Sequence, residues 1–343
     1  MWFQGSVLAG VVLLVLFALA PALDSYDPGN YVMMVLFLWG ALFDGTHVWG
    51  TYARSYLAPD DRSRAALPGN WSWLVLFLGP AAALLDHLFF TPEPSLLAAA
   101  GWLFRGFLMF AYLWAYWHLV RQHYGFLILY RRRAGEERLV GARLDTLMLW
   151  IGCLYPYLRF ALTPAYAQSG LPILVDADWC HPAQRTLDFG MLGVFPLLLV
   201  VMVSGRCEPF RFGPKHLLLA IVVLFHNVVF AFLDNLLAIT ATLTIFHNLQ
   251  YHRIVWQYER GQGRTPSGGL TPYLALGIML GVAWYGLRVL GVAFASHDLI
   301  RNLLIGFGWS VAMHHYLVDG YIWRVRRQRD VAQTLDAGAA TSA

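Results

Sequence analysis

Apolar runs of about 20 residues recur along the chain and constrain its fold more than any other feature. A transmembrane helix needs about 20 apolar residues to cross a bilayer. Charged residues form only 13% of this chain, against about 25% in soluble domains. We therefore predict an all-α, polytopic membrane helix bundle with about ten transmembrane helices. The predicted spans cover residues 5–23, 31–53, 71–90, 96–122, 144–163, 187–204, 216–235, 236–257, 272–295 and 299–322.

Positive charges mark one side of the predicted membrane. Clusters of Arg follow the even-numbered spans, whereas the alternate connections are short or acidic. Positive loops stay in the cytoplasm, so both termini are predicted to be cytoplasmic, in a multi-pass integral protein of a bacterial cytoplasmic membrane. The net charge of +4 comes from these clusters, and no nucleic-acid partner is expected. Residues 1–330 are predicted to form a single transmembrane helical domain, followed by a disordered tail at 331–343.

Seven histidines fall near the predicted cytoplasmic ends of four even-numbered spans. They are His47 in the second span, His118 and His123 in the fourth, His247 and His252 in the eighth, and His314 and His315 in the tenth. Ionisable side chains within a membrane usually face the interior of the bundle and serve a site. Imidazole is also the commonest metal ligand in proteins. All seven are therefore predicted to be metal ligands.

Three charged residues beside these histidines are predicted to take part in the chemistry. Asp44 stands three residues before His47, and Asp319 stands four residues after His315; both spacings put the pair on one helix face. We expect these carboxylates to bind metal or to orient a bound histidine. Arg121 is expected to pair with one of them or to meet an acidic substrate head group. The alternative is that Arg121 extends to the membrane surface.

The spacing of the paired histidines favours more than one metal ion. His118 and His123, like His247 and His252, are separated by five positions, which places their side chains about 140° apart on a regular helix. Two metal ions, or a local π-bulge, would accommodate both members of a pair. His226, in the middle of the seventh span, is left open as an eighth ligand or a residue that supports the ligands.

Three histidine clusters carry a resemblance to a known group of enzymes. They are His118/His123, His247/His252 and His314-His315. At these clusters the chain resembles the integral-membrane histidine-rich di-iron oxygenases, which include fatty-acid desaturases, hydroxylases and carotenoid oxygenases. The resemblance implies two iron ions that activate dioxygen, a lipid or isoprenoid substrate, and a role in lipid metabolism. Electrons are expected from a separate cytoplasmic donor, because no flavin or nicotinamide motif is visible.

The function expected from these features is that of a membrane metal-dependent oxidoreductase, and two other functions stay open. Paired histidines on neighbouring helices also suit a bis-histidine haem, as in an electron-transfer or haem-handling protein. A histidine relay would suit a transporter, and a transition metal other than iron would fit the same ligands. Motifs of zinc proteases, serine hydrolases and P-loop enzymes are missing from the sequence.

Overall fold

The computed structural model is helical throughout the residues that it describes. These are residues 2–19, 34–35, 37–57, 67–89, 102–135, 141–168, 178–204, 212–263, 265, 268–293 and 298–323, with Val331 and Thr334. The α-helices among them are α1 (Trp2–Leu19), α2 (Gly45–Arg54), α3 (Leu78–Phe89), α4 (Trp102–Arg133), α5 (Gly141–Ala161), α6 (Pro164–Gln168), α7 (Cys180–Val203), α8 (Pro214–Phe232), α9 (Leu236–Gly261), α10 (Leu270–Ala293) and α11 (Asp298–Ile322). A π-helical turn, Gly40–Asp44, leads into α2, and a 3₁₀ segment, Asn70–Phe77, leads into α3.

Helical structure lies at the position of each predicted span, and the all-α fold is confirmed for the described residues. Among the described residues, three helical stretches are long and apolar enough to cross a membrane. They are Asn70–Phe89, Cys180–Val203 and Pro214–Phe232. The number of ten crossings and the cytoplasmic position of both termini stay predictions.

Helix α7 presents a strongly apolar exposed face. Phe189, Leu192, Leu197 and Val200 are between 61% and 72% exposed. Large contiguous apolar patches are rare on soluble monomers. Such a face is typical of a helix that contacts lipid tails, in agreement with the apolar length of this helix.

Helix α4 extends beyond the end predicted for the fourth span. The prediction placed that end at residue 122, whereas the helix continues to Arg133. His118 and His123 are both buried. The helix therefore continues past the predicted end of the span, and the end of the span itself stays a prediction.

The turn between the seventh and eighth predicted spans has a local chemical cause. Asn235 lies between α8 and α9, and its Oδ1 accepts hydrogen bonds from the backbone N–H groups of Leu237 and Ala238, at 2.9 and 3.1 Å. These N–H groups belong to the first turn of α9 and have no acceptor within the helix. Asn235 therefore acts as the N-cap of α9.

The chain divides into two compact units. The first comprises Met1–Leu13, Leu19–Ala115 and Thr244–Ala343, and the second comprises Leu14–Ala18 and Tyr116–Leu243. In the first unit, α11 packs on α3, α10 and the 3₁₀ segment, while α10 packs on α2 and the π-helical turn. In the second unit, α5 packs on α7 and α8. The prediction of one domain over residues 1–330 stays a prediction.

Most of the predicted disordered tail lies outside the described residues. Val331 and Thr334 are described, and both are buried. Gln262 Nε2 donates a hydrogen bond to Thr334 Oγ1 at 2.7 Å. Thr334 is therefore packed within the first unit, to which both positions belong.

Glycines allow α2 and α10 to approach backbone to backbone. A Cβ atom on Gly45 would overlap the Cα of Gly281, and one on Gly281 would overlap the carbonyl oxygen of Ala41. One turn earlier, a Cβ on Gly277 would lie 3.2 Å from the Cβ of Thr46. Small residues at such positions permit close helix packing in membranes. This contact sets the position of α2, the helix that carries His47.

Replacement of Gly281 tests this contact. We expect Gly281→Ala to lower the free energy of unfolding by about 1–3 kcal/mol, because the added methyl group overpacks the interface. The matched control is Gly286→Ala on the same helix, where an added Cβ would meet no atom within 4 Å. The control should be neutral or stabilising by up to about 1 kcal/mol. Denaturant unfolding in detergent would measure both, and equal stabilities would contradict the packing described.

Candidate metal centre

Three imidazole rings from three helices meet in the first unit. His47 of α2, His247 of α9 and His315 of α11 are all buried. Nε2 of His47 lies 2.7 Å from Nε2 of His315 and 3.3 Å from Nε2 of His247. The ring centroid of His47 lies 4.5 Å from each of the other two. The Nε2 atoms of His247 and His315 therefore both approach that of His47, which forms the common centre of the three rings.

Three side chains with oxygen atoms form a second layer, one helical turn further along the same helices. Thr51, Tyr251 and Asp319 each follow one of the three histidines by four residues. Oδ1 of Asp319 accepts hydrogen bonds from Thr51 at 2.8 Å and from Tyr251 at 2.7 Å, and the two hydroxyl oxygens are 2.6 Å apart. This oxygen layer ties together the three helices that carry the imidazoles.

A hydrogen bond from the oxygen layer determines which nitrogen of His315 carries the proton. Thr51 has one hydroxyl proton and donates it to Asp319. The 2.7 Å contact between Thr51 Oγ1 and His315 Nδ1 must then be donated by the imidazole N–H. Nε2 of His315 consequently has no proton and presents its lone pair to the common centre. Metal-binding histidines are usually oriented by a hydrogen bond of this kind.

The first unit therefore contains a buried group that could hold a metal ion. One ligand atom from each of His47, His315 and Asp319 lies within 4.8 Å of the others. A metal ion binds imidazole nitrogen at about 2.0–2.1 Å, which separates two such nitrogens by about 3.3 Å around a tetrahedral ion. The Nε2 separations of 2.7 and 3.3 Å are close to this value. A small movement of His315 would lengthen the shorter distance, between Nε2 of His47 and Nε2 of His315.

A cation–π contact between Arg54 and two aromatic rings supports the oxygen layer at Tyr251. Trp323 Nε1 donates a hydrogen bond to the hydroxyl of Tyr251 at 3.3 Å. The buried guanidinium of Arg54 lies 3.7 Å from the ring centroid of Tyr258 and 4.6 Å from that of Trp323. Desolvated contacts of this type contribute about 2 kcal/mol. Arg54 thus holds Trp323 in position against Tyr251.

His252 contacts a different set of groups from His247. Its Nδ1 lies 3.0 Å from the hydroxyl of Tyr273, and its Nε2 lies 2.9 Å from Thr46 Oγ1. Thr46 donates its own proton to the backbone oxygen of Leu42, so the Nε2–H of His252 donates to Thr46. Both ring nitrogens are thus engaged on a face about 140° from His247. A ligand role for His252 stays a prediction.

His314 lies in an aromatic stack. Its ring centroid is 4.6 Å from that of Trp73, with 22° between the planes. Its Nδ1 contacts the hydroxyl of Tyr52 at 3.0 Å, and its Nε2 lies 3.5 Å from that of Tyr56. Burial raises the pKa of Tyr56 above its ordinary value, which keeps this hydroxyl protonated as a donor. A ligand role for His314 also stays a prediction.

Asp44 is the last residue of the π-helical turn that precedes His47. A π-bulge is one of the alternatives for the helices with paired histidines. Helices α4 and α9 are instead α-helical, and a π-helical turn lies before α2. Such turns are frequent at functional sites. Oδ2 of Asp44 accepts a hydrogen bond from Tyr285 at 2.8 Å. Its predicted part in catalysis is not tested by this contact.

In the second unit, α4 carries the remaining predicted site residues. His118 Nε2 lies 2.7 Å from Nε2 of Gln122, and His123 is fully buried. Arg121 is exposed, with its guanidinium 4.9 Å from the ring centroid of Trp117. The catalytic role of Arg121 stays a prediction. So does the sharing of one metal site by the histidines of both units.

Sequence reasoning missed Thr51, although a signal for it exists. Thr51 follows His47 by the same four residues that separate Asp319 from His315. That spacing puts both members of each pair on one helix face. A hydroxyl group at this position is a donor for the carboxylate on the neighbouring helix.

Comparison with known proteins adds no relative. No protein-family model, curated protein or solved structure matches the chain. The likeness to di-iron oxygenases stays a resemblance at the histidine clusters. A function therefore has to be proposed from the chemistry of the site.

Replacement of Thr51 tests the oxygen layer. We expect Thr51→Val to weaken metal binding about 10- to 100-fold, because His315 loses the oxygen that accepts its Nδ1–H. Thr51→Ser retains the hydroxyl and should bind metal like the unchanged protein. Metal retained during titration with a chelator measures the difference. Equal retention by the Val and Ser variants would contradict the described role of Thr51.

Proposed function

We propose that this chain is a membrane-embedded, metal-dependent oxidoreductase that uses two iron ions and dioxygen to oxidise a lipid or isoprenoid. The proposal is carried by the convergence of Nε2 atoms from His47, His247 and His315. Imidazole combined with a carboxylate is a ligand set of non-haem iron enzymes that use dioxygen. The helices of the chain that are long and apolar enough to cross a membrane favour a substrate dissolved in the membrane, and we place the protein in a bacterial cytoplasmic membrane.

The donor set suits one iron ion in the first unit. His47, His247 and His315 would hold the ion through Nε2. Oδ2 of Asp319, 3.8 Å from Nε2 of His315, is the oxygen available as a fourth ligand. Iron held in this way supplies the reduction of dioxygen and thereby an oxidant for a C–H or C=C bond.

The oxygen layer would supply protons to the reaction. Conversion of a C–H bond to a hydroxyl consumes one dioxygen, two electrons and two protons, and releases one water. The electrons would come from a separate cytoplasmic donor. Thr51 and Tyr251 hold exchangeable protons within hydrogen-bond distance of Asp319, and Thr51 continues the chain to His315.

The aromatic stack at His314 offers an apolar contact for the substrate. His314 neighbours the ligand His315 in sequence, and Trp73, which stacks on it, is 40% exposed. A substrate that reached this stack from the membrane would bring an apolar chain to the side of α11. In this proposal, Trp73 and Tyr56 orient the substrate and exclude water.

Metal content tests the ligand assignment. We expect His247→Gln and His315→Gln each to lose the iron of the first unit, because each removes one of three imidazole ligands. His87→Gln is the control, since His87 is exposed on α3 and should keep all of its iron. Elemental analysis of the purified variants gives the answer. Full iron in both of the first two variants would remove the site from His247 and His315.

Oxygen transfer tests the proposed reaction. Membranes containing the chain, supplied with reductant and isotopically heavy dioxygen, should yield lipid or isoprenoid products that carry heavy oxygen or a new double bond. The His315→Gln variant should yield none. Mass spectrometry of the extracted lipids detects both. A Soret band in the visible spectrum would instead show haem, and the assignment of two non-haem iron ions would be wrong.

A further inference from the structure

A fully buried histidine of the second unit lies outside the group described above. His226 is in α8 and has 0% exposure. Its neighbour Asn227 donates to the backbone oxygens of Gly152 and Val223, at 2.9 and 2.8 Å, and so serves the packing of α8 on α5. An ionisable side chain buried in an apolar helix usually serves a site.

Hydrogen bonds show which nitrogen of His226 carries a proton. Tyr116 has one hydroxyl proton and donates it to the backbone oxygen of Cys153. The 2.8 Å contact between the Tyr116 hydroxyl and His226 Nδ1 is therefore donated by the imidazole N–H. Nε2 of His226 then has a lone pair and no proton. This atom is buried and has no hydrogen-bond partner among the described residues.

A buried acceptor without a partner is costly, by about 1–3 kcal/mol. Its occurrence in a native structure calls for a bound group that satisfies it. The ring centroid of His123, which is also fully buried, lies 5.6 Å from that of His226. Aromatic rings lie beside this pair, since Tyr116 stacks on Tyr157 at 4.5 Å and packs edge-on against Phe230. A metal ion suits two adjacent imidazoles, because each can offer a ring nitrogen as a ligand.

We propose that His123 and His226 bind a divalent transition-metal ion, with Nε2 of His226 as one ligand and Tyr116 as the residue that fixes its tautomer. The arrangement repeats the one at His315, where a hydroxyl oxygen accepts the Nδ1–H and leaves Nε2 for the metal. Two protein ligands leave coordination positions open for small molecules, as catalytic metal sites require. This inference rests on the proposed function only for the identity of the metal, which would be the second iron ion.

Cobalt provides a direct test in the intact protein. Metal-depleted protein would be titrated with Co²⁺, whose visible absorption reports imidazole ligands. We expect His226→Gln to lose one of two equivalents of bound Co²⁺ and His315→Gln to lose the other. The control His216→Gln, which replaces another buried histidine of α8, should retain both.

The outcomes separate this inference from the proposed function. Loss of Co²⁺ binding in His226→Gln supports the site even if the protein contains no iron and shows no oxygen transfer. Two equivalents in His226→Gln would overturn the site while leaving the group at His315 in place. A single equivalent in the unchanged protein, lost in His315→Gln, would overturn it as well.

Replacement of Tyr116 tests whether His226 is a metal ligand, because the affinity and absorption of bound Co²⁺ would not change if His226 had only a structural role. Tyr116→Phe keeps both imidazoles and removes only the oxygen that accepts the Nδ1–H. We expect the affinity of this site for Co²⁺ to fall about 10- to 100-fold, with a shift of its absorption. Unchanged affinity and absorption would overturn the proposed role of Tyr116 and, with it, the argument for Nε2 as a ligand.

Discussion

The hydrogen bonds that Asp319 accepts from Thr51 and Tyr251 are the interaction on which the candidate centre depends. A buried carboxylate is tolerated only when donors satisfy it, and here both donors come from other helices. The rotation of α2 and α9 about their axes is therefore coupled to that of α11. Because each of these helices carries a histidine one turn away, satisfying the carboxylate also brings His47, His247 and His315 together.

The backbone contact between α2 and α10 makes this arrangement possible. Gly45 and Gly281 lie where any side chain would force the helices apart. The π-helical turn Gly40–Asp44 adds one residue before His47, and one residue changes the direction of every following side chain by about 100°. The position and rotation of His47 thus follow from glycines and a helix irregularity rather than from a contact of the histidine itself.

The helices were predictable because apolar length is a property of the sequence itself. Each predicted span coincides with helical structure in the described residues, and Asn235 caps α9 at the turn predicted between two spans. Hydropathy predicts the end of a membrane span, whereas helix α4 continues to Arg133. His118, Gln122 and His123 have the polarity of a membrane boundary, yet both histidines are buried in protein, and hydropathy cannot distinguish a polar side chain facing protein from one facing water.

The direction of each histidine ring was not predictable from the sequence. His314 and His315 are adjacent and differ by about 100° in direction; one stacks on aromatic rings and the other faces His47. A hydropathy scale assigns the same value to His314 and His315. The spacing of four residues from His315 to Asp319, repeated by Thr51 and Tyr251 after their own histidines, separates these rings from His314, which is followed at that spacing by Val318. Pairs of a histidine and a polar residue at this spacing therefore carry information that the number of histidines does not. A helix face that bears both residues can satisfy a buried carboxylate with one of them and present a ring nitrogen with the other.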